Sequence, residues 1–246
     1  MPMRLQKKLK ETTRHRVVFC PPHCKQLAFL RLALYTQGCI FLCFFMRYPI
    51  LLFDYDGTIA SSLQSIENKV RHTCQKFDLP VPSNTRLLTY LYSGEPVLPQ
   101  IVSDNPSLQN LPKHTYQQWL DYYDQLSGRP ALYPQIQEII PTLAKNRTLH
   151  IVSNHYIQAT KRNLETDGLA QYFTSIHGPT PPSIRFKPHP DMFDVVKSFY
   201  PNAKNEDFLM VGDTIADIAF AKHCGIDIAW ARYGLGNVRD IAKHHM

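Results

Sequence analysis

The sequence predicts an α/β fold in which a parallel sheet is covered by helices on both of its faces. From residue 132 onwards, short apolar segments alternate with longer segments of helical periodicity. Helices between successive strands are typical of a parallel sheet that is buried on both sides. Residues 61–131 interrupt this alternation, and most of them, 78–131, lie in a region rich in proline and aromatic residues. The sequence therefore also predicts a helical insertion after the first strand.

The first strand is predicted over residues 49–54, where the apolar run ILLF leads to an aspartate. Pro49 is tolerated there, because the start of a strand does not need its missing N–H. Residues 62–77 have apolar side chains at helical spacing and are predicted to form a helix. Residues 78–131 are predicted to form short helices that are broken by prolines.

The remaining elements alternate regularly. The predicted helices cover residues 134–145, 155–167, 190–199 and 214–224. The predicted strands cover residues 148–152, 172–176, 207–211 and 226–230. Three parts are expected: an N-terminal extension (1–47), an α/β core (48–60 and 132–246) and the helical insertion (61–131). The insertion is expected over the carboxyl ends of the strands, where open α/β sheets bind ligands.

The positive charge of the chain lies almost entirely in its N-terminal extension. The chain has 27 Lys and Arg against 20 Asp and Glu. Residues 1–47 hold nine of the basic residues and one of the acidic ones, so the rest of the chain is close to neutral. No nucleic-acid partner is therefore predicted for the main domain.

Two interpretations of the location of the protein stay open. Residues 27–46 form an apolar run of about the length of a membrane-spanning helix, and basic residues precede it. The run is either a membrane anchor or part of an extraneous, weakly structured extension before a translation start at Met46. Beyond residue 47 only Cys74 and Cys224 are cysteines, which favours a reducing, cytoplasmic location over a disulfide framework.

Carboxylates follow two of the predicted strands. Asp54 and Asp56 end the first strand, and Gly57 permits an immediate turn. Asp213 and Asp217 follow strand 207–211. Carboxylates placed this close repel one another unless a cation or a shared proton is present, and their oxygens suit Mg²⁺. The pattern predicts a cation site at this edge of the sheet.

Two other polar sites accompany the carboxylates. Ser153 and Asn154 follow strand 148–152, where a hydroxyl either caps the next helix or binds an anionic oxygen. Lys187 lies in a stiff proline-containing loop, where a fixed cation would neutralise nearby carboxylates and a phosphate. His155 follows Asn154, and His189 lies two residues after Lys187. Both are close enough in sequence to contact a substrate, but each is expected to be structural.

Together these residues resemble the haloacid dehalogenase-like hydrolase superfamily over residues 49–231. The matching motifs are D-x-D-G-T at 54–58, the serine at 153, the lysine at 187 and G-D-T-x-x-D at 212–217. The segments ALYPQIQEIIPTLAKN and FKPHPDMF resemble the phosphoglycolate-phosphatase-like branch, with Gln135 in place of the usual glycine. The resemblance implies a Rossmann-like core with a small helical cap.

The resemblance also implies a Mg²⁺-dependent phosphatase that works through an aspartyl-phosphate. Asp54 is the implied nucleophile, and Asp56 is the implied general acid and base, oriented by Thr58. The implied ligands of Mg²⁺ are Asp54, the backbone carbonyl of Asp56, and Asp213. An acid at position 56 favours a phosphatase over a dehalogenase, because a halide leaving group needs no proton.

The phosphoryl group is expected to bind to Ser153, Asn154 and Lys187, while Asp217 supports the metal site or pairs with Lys187. The expected substrate is a small phosphorylated metabolite, with phosphoglycolate as the first guess from the resemblance. A sugar phosphomutase, a 5′-nucleotidase, a membrane-tethered phosphatase and a non-catalytic binding protein stay open as alternatives. The sequence carries no signal for the oligomeric state.

Overall fold

The computed structural model describes residues 17–19, 47–94, 96–110, 112–126, 128–155, 157–180 and 183–236. Its strands are β1 Val17–Phe19, β2 Ile50–Phe53, β3 Ala60–Ser61, β4 Ala131–Leu132, β5 Thr148–Val152, β6 Ser175–His177, β7 Phe208–Gly212 and β8 Asp227–Trp230. Its helices are α1 Leu63–Lys76, α2 Asn84–Ser93, α3 Val97–Asp104, α4 Lys113–Gln125, α5 Ile136–Ala144, α6 Ile157–Thr166, α7 Asp191–Ser198 and α8 Ile215–Cys224.

Six of the strands form one parallel sheet in the order β1-β8-β7-β2-β5-β6. This confirms the predicted parallel sheet, with β2 between β7 and β5. Phe53 of β2 pairs with Val211 of β7 and with Ile151 of β5. The three strands therefore end at nearly the same level, and the loops that follow them start side by side.

The central strand is buried on both faces. Leu51 and Phe53 of β2 belong to a hydrophobic cluster with residues of α5 and α6. Ile50 and Leu52 belong to a second cluster with residues of α7 and α8. Because successive residues of a strand face opposite sides, each side of the sheet has its own core. This explains why β2 is a continuous apolar run in the sequence.

The segment inserted after β2 has a hydrophobic cluster of its own. Helices α1 to α4 supply most of it, including the buried residues Val70, Leu87, Ile101 and Trp119. Strands β3 and β4 pair antiparallel with each other, so the segment leaves and rejoins the core at one place. The prediction of short helices in this region is confirmed.

Two regions differ from the prediction. The strand expected at 172–176 is β6, at 175–177, and residues 170–172 form a short 3₁₀ helix instead. Leu169 and Phe173 flank that turn and are buried, so packing of these two side chains favours a turn over an extended chain. At the other end, β1 pairs with β8 although no strand is predicted in the extension.

The predicted apolar run at 27–46 lies outside the described residues. Within the described ranges, no helix is both long enough and apolar enough to cross a bilayer.

Candidate active site

The loops after β2, β5 and β7 bring the predicted polar residues together. Asp54 follows β2, and its N–H donates to the carbonyl of Val211 at 2.9 Å. Ser153 follows β5 and Asp213 follows β7, and all three polar side chains are buried. The site therefore lies at the carboxyl edge of the sheet, as the sequence predicts.

Lys187 connects the two pairs of carboxylates. Its Nζ donates to Oδ1 of Asp54 at 2.7 Å and to Oδ1 of Asp217 at 2.6 Å. Only 2% of the side chain is exposed. Burial by itself would lower the pKa of Lys187, but Asp217 and Asp54 together raise that pKa above its ordinary value. Lys187 is therefore a fixed cation in the site.

Asp217 is held by the start of helix α8. Its Oδ2 accepts hydrogen bonds from the N–H groups of Asp213 and Thr214 and from the hydroxyl of Thr214, at 3.1, 2.9 and 2.8 Å. Thr214 and Asp217 thus form a reciprocal cap, which explains the T-x-x-D part of the motif. A Cβ at Gly212 would lie 2.4 Å from Cγ of Asp217, so glycine is needed there. Of the two roles expected for Asp217, the structure shows the pairing with Lys187.

Asp213 is held by the loop after β2, which corrects one expectation. Thr58 is predicted to orient Asp56, but its hydroxyl donates to Oδ1 of Asp213 at 2.8 Å. The chain turns at Gly57, whose φ is +83°, and this turn directs Thr58 towards β7. The N–H of Leu235 donates to the other oxygen of Asp213 at 2.6 Å.

Three carboxylates form a cluster that suits a cation. One oxygen each of Asp54, Asp213 and Asp217 lies within 4.8 Å of the others. Burial first, and then the neighbouring carboxylates, raises the pKa of Asp213 well above its ordinary value. Burial also raises the pKa of Asp54 to about 7, although Lys187 opposes this rise. The three carboxylates repel one another when they are ionised, and their oxygens are the type of ligand that Mg²⁺ prefers, so the cluster fits this cation.

The charges in this cluster do not balance. The three carboxylates carry three negative charges when they are ionised, and Lys187 supplies one positive charge. A divalent cation would balance the remaining two charges. All three carboxylates are among those that the sequence predicts at the cation site, whereas the side chain of Asp56 is not part of the cluster.

The carboxylate of Asp56 faces a different partner. Its Oδ2 lies 2.8 Å from Nδ1 of His155. Its Oδ1 is buried and has no hydrogen-bond partner within the described residues. Burial opposes the charge on Asp56, but His155 outweighs burial and lowers the pKa of Asp56. Although burial alone would lower the pKa of His155, the same contact raises it.

The contact of His155 with Asp56 is the feature of the site that the sequence does not predict, since His155 is expected there to be structural. Asp56 and His155 each lie three residues beyond the ends of neighbouring strands, β2 and β5. That spacing is a usable signal only once the order of the strands is known.

The side chain of Asn154 has a different partner from the predicted one. It is predicted to bind phosphate, but its Oδ1 accepts the N–H of Lys187 at 2.7 Å. Its Nδ2 donates to the carbonyl of Gly94 at 2.8 Å and to that of Lys187 at 3.2 Å. Asn154 therefore positions the Lys187 loop against the end of α2. Oγ of Ser153 accepts the N–H of His155 at 3.2 Å.

Fold and site together define an α/β protein with a cluster of buried carboxylates at the carboxyl edge of its sheet. Residues 51–231 match the family described as haloacid dehalogenase-like hydrolase. This match covers well over half of the chain, and the protein belongs to that family.

Several relatives are named as phosphatases. The chain is 27% identical over 199 residues to a phosphoglycolate phosphatase from Haemophilus influenzae, covering 76% of this chain and 87% of that protein. It is 29% identical over 193 residues to the pyrophosphatase PpaX of Listeria monocytogenes, covering 76% and 86%. A crystal structure described as a predicted phosphoglycolate phosphatase from Haemophilus somnus superimposes with a TM-score of 0.64 at 26% identity, covering 76% and 87%.

Proposed function

We propose that this protein is a Mg²⁺-dependent phosphatase that hydrolyses a small phosphate monoester through an aspartyl-phosphate at Asp54. The observation that carries the proposal is the hydrogen-bonded set Asp54–Lys187–Asp217 beside Asp213. A buried carboxylate that a fixed cation orients is a suitable nucleophile for phosphoryl transfer.

Asp54 is the proposed nucleophile. Its Oδ1 is held by Lys187, while its Oδ2 makes no hydrogen bond to any described residue. Oδ2 attacks phosphorus, and the bond from phosphorus to the leaving oxygen breaks. Lys187 also offsets charge on the phosphoryl oxygens, a stabilisation that matters most in a buried site.

Asp56 is the proposed general acid and base. His155 lowers the pKa of Asp56 in the free site, but a phosphoryl anion bound nearby raises it again, because a like charge disfavours the carboxylate. The unpartnered Oδ1 then delivers its proton to the leaving oxygen in the first step. In the second step Asp56 takes a proton from the water that attacks phosphorus, and the bond between Asp54 and phosphorus breaks. His155 holds the other oxygen of Asp56, so that Oδ1 keeps its direction.

Asp54 and Asp213, with the backbone carbonyl of Asp56, are the proposed ligands of Mg²⁺, and Asp217 stands beside them. When bound there, Mg²⁺ offsets negative charge between the phosphoryl group and the carboxylates. Ser153 and Lys187 are the proposed phosphate-binding side chains; both are buried, and Lys187 contacts Asp54 directly.

The helices of residues 61–131 are proposed to act as a cap over this site. Two observations support the assignment. The single exit and return at β3 and β4 leaves these helices as one unit with its own hydrophobic cluster. The contact of Asn154 with Gly94 also joins the end of α2 to a loop of the active site.

The proposed substrate is a small phosphorylated metabolite. Phosphoglycolate is the first candidate, because relatives that match most of the chain carry that name. Pyrophosphate is a second compound to test, because another relative is named a pyrophosphatase.

The test is hydrolysis of p-nitrophenyl phosphate by the full chain, with and without Mg²⁺. Turnover is expected to require the metal, and Asp54→Asn is expected to lower kcat by about a thousandfold or more. Asp194→Asn is the matched control, because Asp194 is exposed on α7. Undiminished turnover in folded Asp54→Asn would overturn the proposal.

A further inference from the structure

Two histidines that the proposed chemistry does not use lie in a hydrogen-bonded cluster at the edge of the sheet. His150 of β5 is fully buried. Its Nδ1 lies 2.6 Å from Oγ of Ser175 on β6, and its Nε2 lies 2.8 Å from the hydroxyl of Tyr200, two residues after the end of α7. Nε2 of His177 on β6 also lies 2.6 Å from Oγ of Ser175. The cluster therefore joins β5, β6 and the end of α7.

The cluster is satisfied only while at least one of the two imidazoles is neutral. The Ser175 hydroxyl has one proton and lies between two ring nitrogens, so one histidine donates to its oxygen and the other accepts its proton. When both rings are protonated, both nitrogens are donors and the hydroxyl proton loses its acceptor. Because both nitrogens lie 2.6 Å from one oxygen, two positive charges would also stand within about 5 Å of each other. The folded protein therefore resists protonation of this pair.

Among the described residues, no carboxylate acts on the pKa of either histidine to compensate for these charges. Burial lowers the pKa of His150 to about 4, and His177 adds to this effect. Burial also lowers the pKa of His177. Tyr200 is the other titratable group that faces His150, and burial raises its pKa, so its hydroxyl stays neutral. On the same face of the sheet, β2 presents Ile50 and Leu52, and α7 carries Asp191, Asp194 and Lys197, none of which acts on the pKa of the pair.

Strand β6 connects this cluster to the candidate active site. It is the terminal strand of the sheet order, with β5 as its neighbour. The carbonyl of His177 accepts the N–H of Ser153 at 3.1 Å. A Cβ at Gly178 would lie 2.7 Å from the carbonyl oxygen of His155, so the chain after β6 packs tightly against the same loop. Because an edge strand opens more easily than a central strand, opening of β6 would also release this loop.

We propose that His150 and His177 form an acid-sensitive latch, which releases β6 and the loop of residues 153–155 when the pair takes up protons. In the opened chain each histidine binds a proton near pH 6.5, the ordinary histidine value. The opened state therefore binds more protons than the closed state between about pH 6.5 and pH 4, and the closed state loses stability as the pH falls through this range. Above this range both states are neutral, and the latch does not depend on pH.

The first test measures denaturant unfolding of the full chain at pH 7 and at pH 5. The variant His150→Gln removes the titrating ring and keeps an amide near the position of Nε2. Between these two pH values the equilibrium constant for folding is expected to fall by about tenfold more in the wild type than in His150→Gln, because only the wild type takes up this proton on unfolding. His114→Gln, at an exposed position of α4, is the matched control and is expected to keep the wild-type dependence.

The second test locates the release by hydrogen–deuterium exchange, with protection factors corrected for the intrinsic effect of pH on exchange. From pH 7 to pH 5 the protection of β6 and of residues 153–155 is expected to fall by about tenfold or more relative to that of α4, which belongs to a separate hydrophobic cluster. In His150→Gln the same relative fall is expected to be about threefold or less.

Two results would overturn the inference. One is an equal pH dependence of folding in the wild type and in His150→Gln, and the other is a relative protection of β6 that does not change between pH 7 and pH 5. If His150→Gln does not fold, His177→Gln replaces it, and the ring protons of His150 are titrated in the wild type by NMR. Titration of that ring near pH 6.5 would equally contradict the latch. None of these measurements needs turnover, so a failure of the proposed function is distinguishable.

Discussion

His155 forms one hydrogen bond with Asp56. The question is whether this bond positions Asp56 for proton transfer or only packs beside it. The contact from Nδ1 to Oδ2 of Asp56 leaves Oδ1 as the free oxygen of that carboxylate. A positioned acid matters only when the leaving oxygen needs a proton. The role of His155 should therefore depend on the leaving group of the substrate.

The prediction compares His155→Ala with the wild type on alkyl and on nitrophenyl phosphates. We expect kcat to fall by about tenfold or more on an alkyl phosphate, because a poor leaving group needs the proton from Asp56. On 2,4-dinitrophenyl phosphate the expected loss is less than about threefold, because that group leaves without a proton.

Two further variants make the His155 experiment decisive. His155→Asn keeps an N–H near the position of Nδ1 and is expected to recover much of the lost rate on the alkyl phosphate. His189→Asn, at an exposed position, is expected to change neither rate. An equal loss on both classes of substrate would mean that His155 is only structural.

At the scale of elements, the backbone is strained at the start of α5, where Gln135 replaces the glycine that is usual in the similar segment of the family. Gln135 has φ of +72° and stands directly before the helix. Its carbonyl accepts the N–H groups of Glu138 and Ile139 at 3.0 and 2.9 Å. A residue with a Cβ pays about 1–2 kcal/mol for this left-handed conformation, whereas glycine does not.

Gln135→Gly is therefore expected to stabilise the protein. The relief of strain exceeds the extra entropy of glycine in the unfolded chain, and the expected gain in the free energy of unfolding is about 0.5–1 kcal/mol. Denaturant unfolding monitored by circular dichroism measures it. Gln137→Gly, at an exposed position inside α5, is the control and is expected to destabilise by about 1 kcal/mol. A loss of stability in Gln135→Gly would contradict this account of the turn.

The elements show what could be read from the sequence and what could not. Strands β2, β5 and β7 were predictable because long apolar runs end in polar residues, and parallel strands place those ends at one edge. The partners of Thr58 and Asn154 were not predictable, because they depend on how separate loops approach one another.

At the scale of the whole molecule, the site is built from two parts of the chain. The loops at the carboxyl edge of the sheet supply the carboxylates and Lys187, and the inserted helices meet the site at Gly94, the end of α2. Asn154 hydrogen-bonds to both the Lys187 loop and the end of α2, so it couples the two parts directly. In the proposed function this coupling lets the inserted helices select the substrate while the sheet performs the chemistry.

The central claim is that Asp54 becomes phosphorylated during turnover. The most direct measurement is acid quenching of the full chain during reaction with 2,4-dinitrophenyl phosphate and Mg²⁺, followed by mass spectrometry of its peptides. Asp56→Asn serves as the trapping variant, because this leaving group needs no proton, whereas loss of the general base slows hydrolysis of the intermediate. We expect one phosphoryl group on the peptide that contains Asp54, and none in Asp54→Asn. Two results would contradict the account. One is a phosphoryl group on a residue other than Asp54, and the other is turnover without a trapped phosphoenzyme in both the wild type and Asp56→Asn.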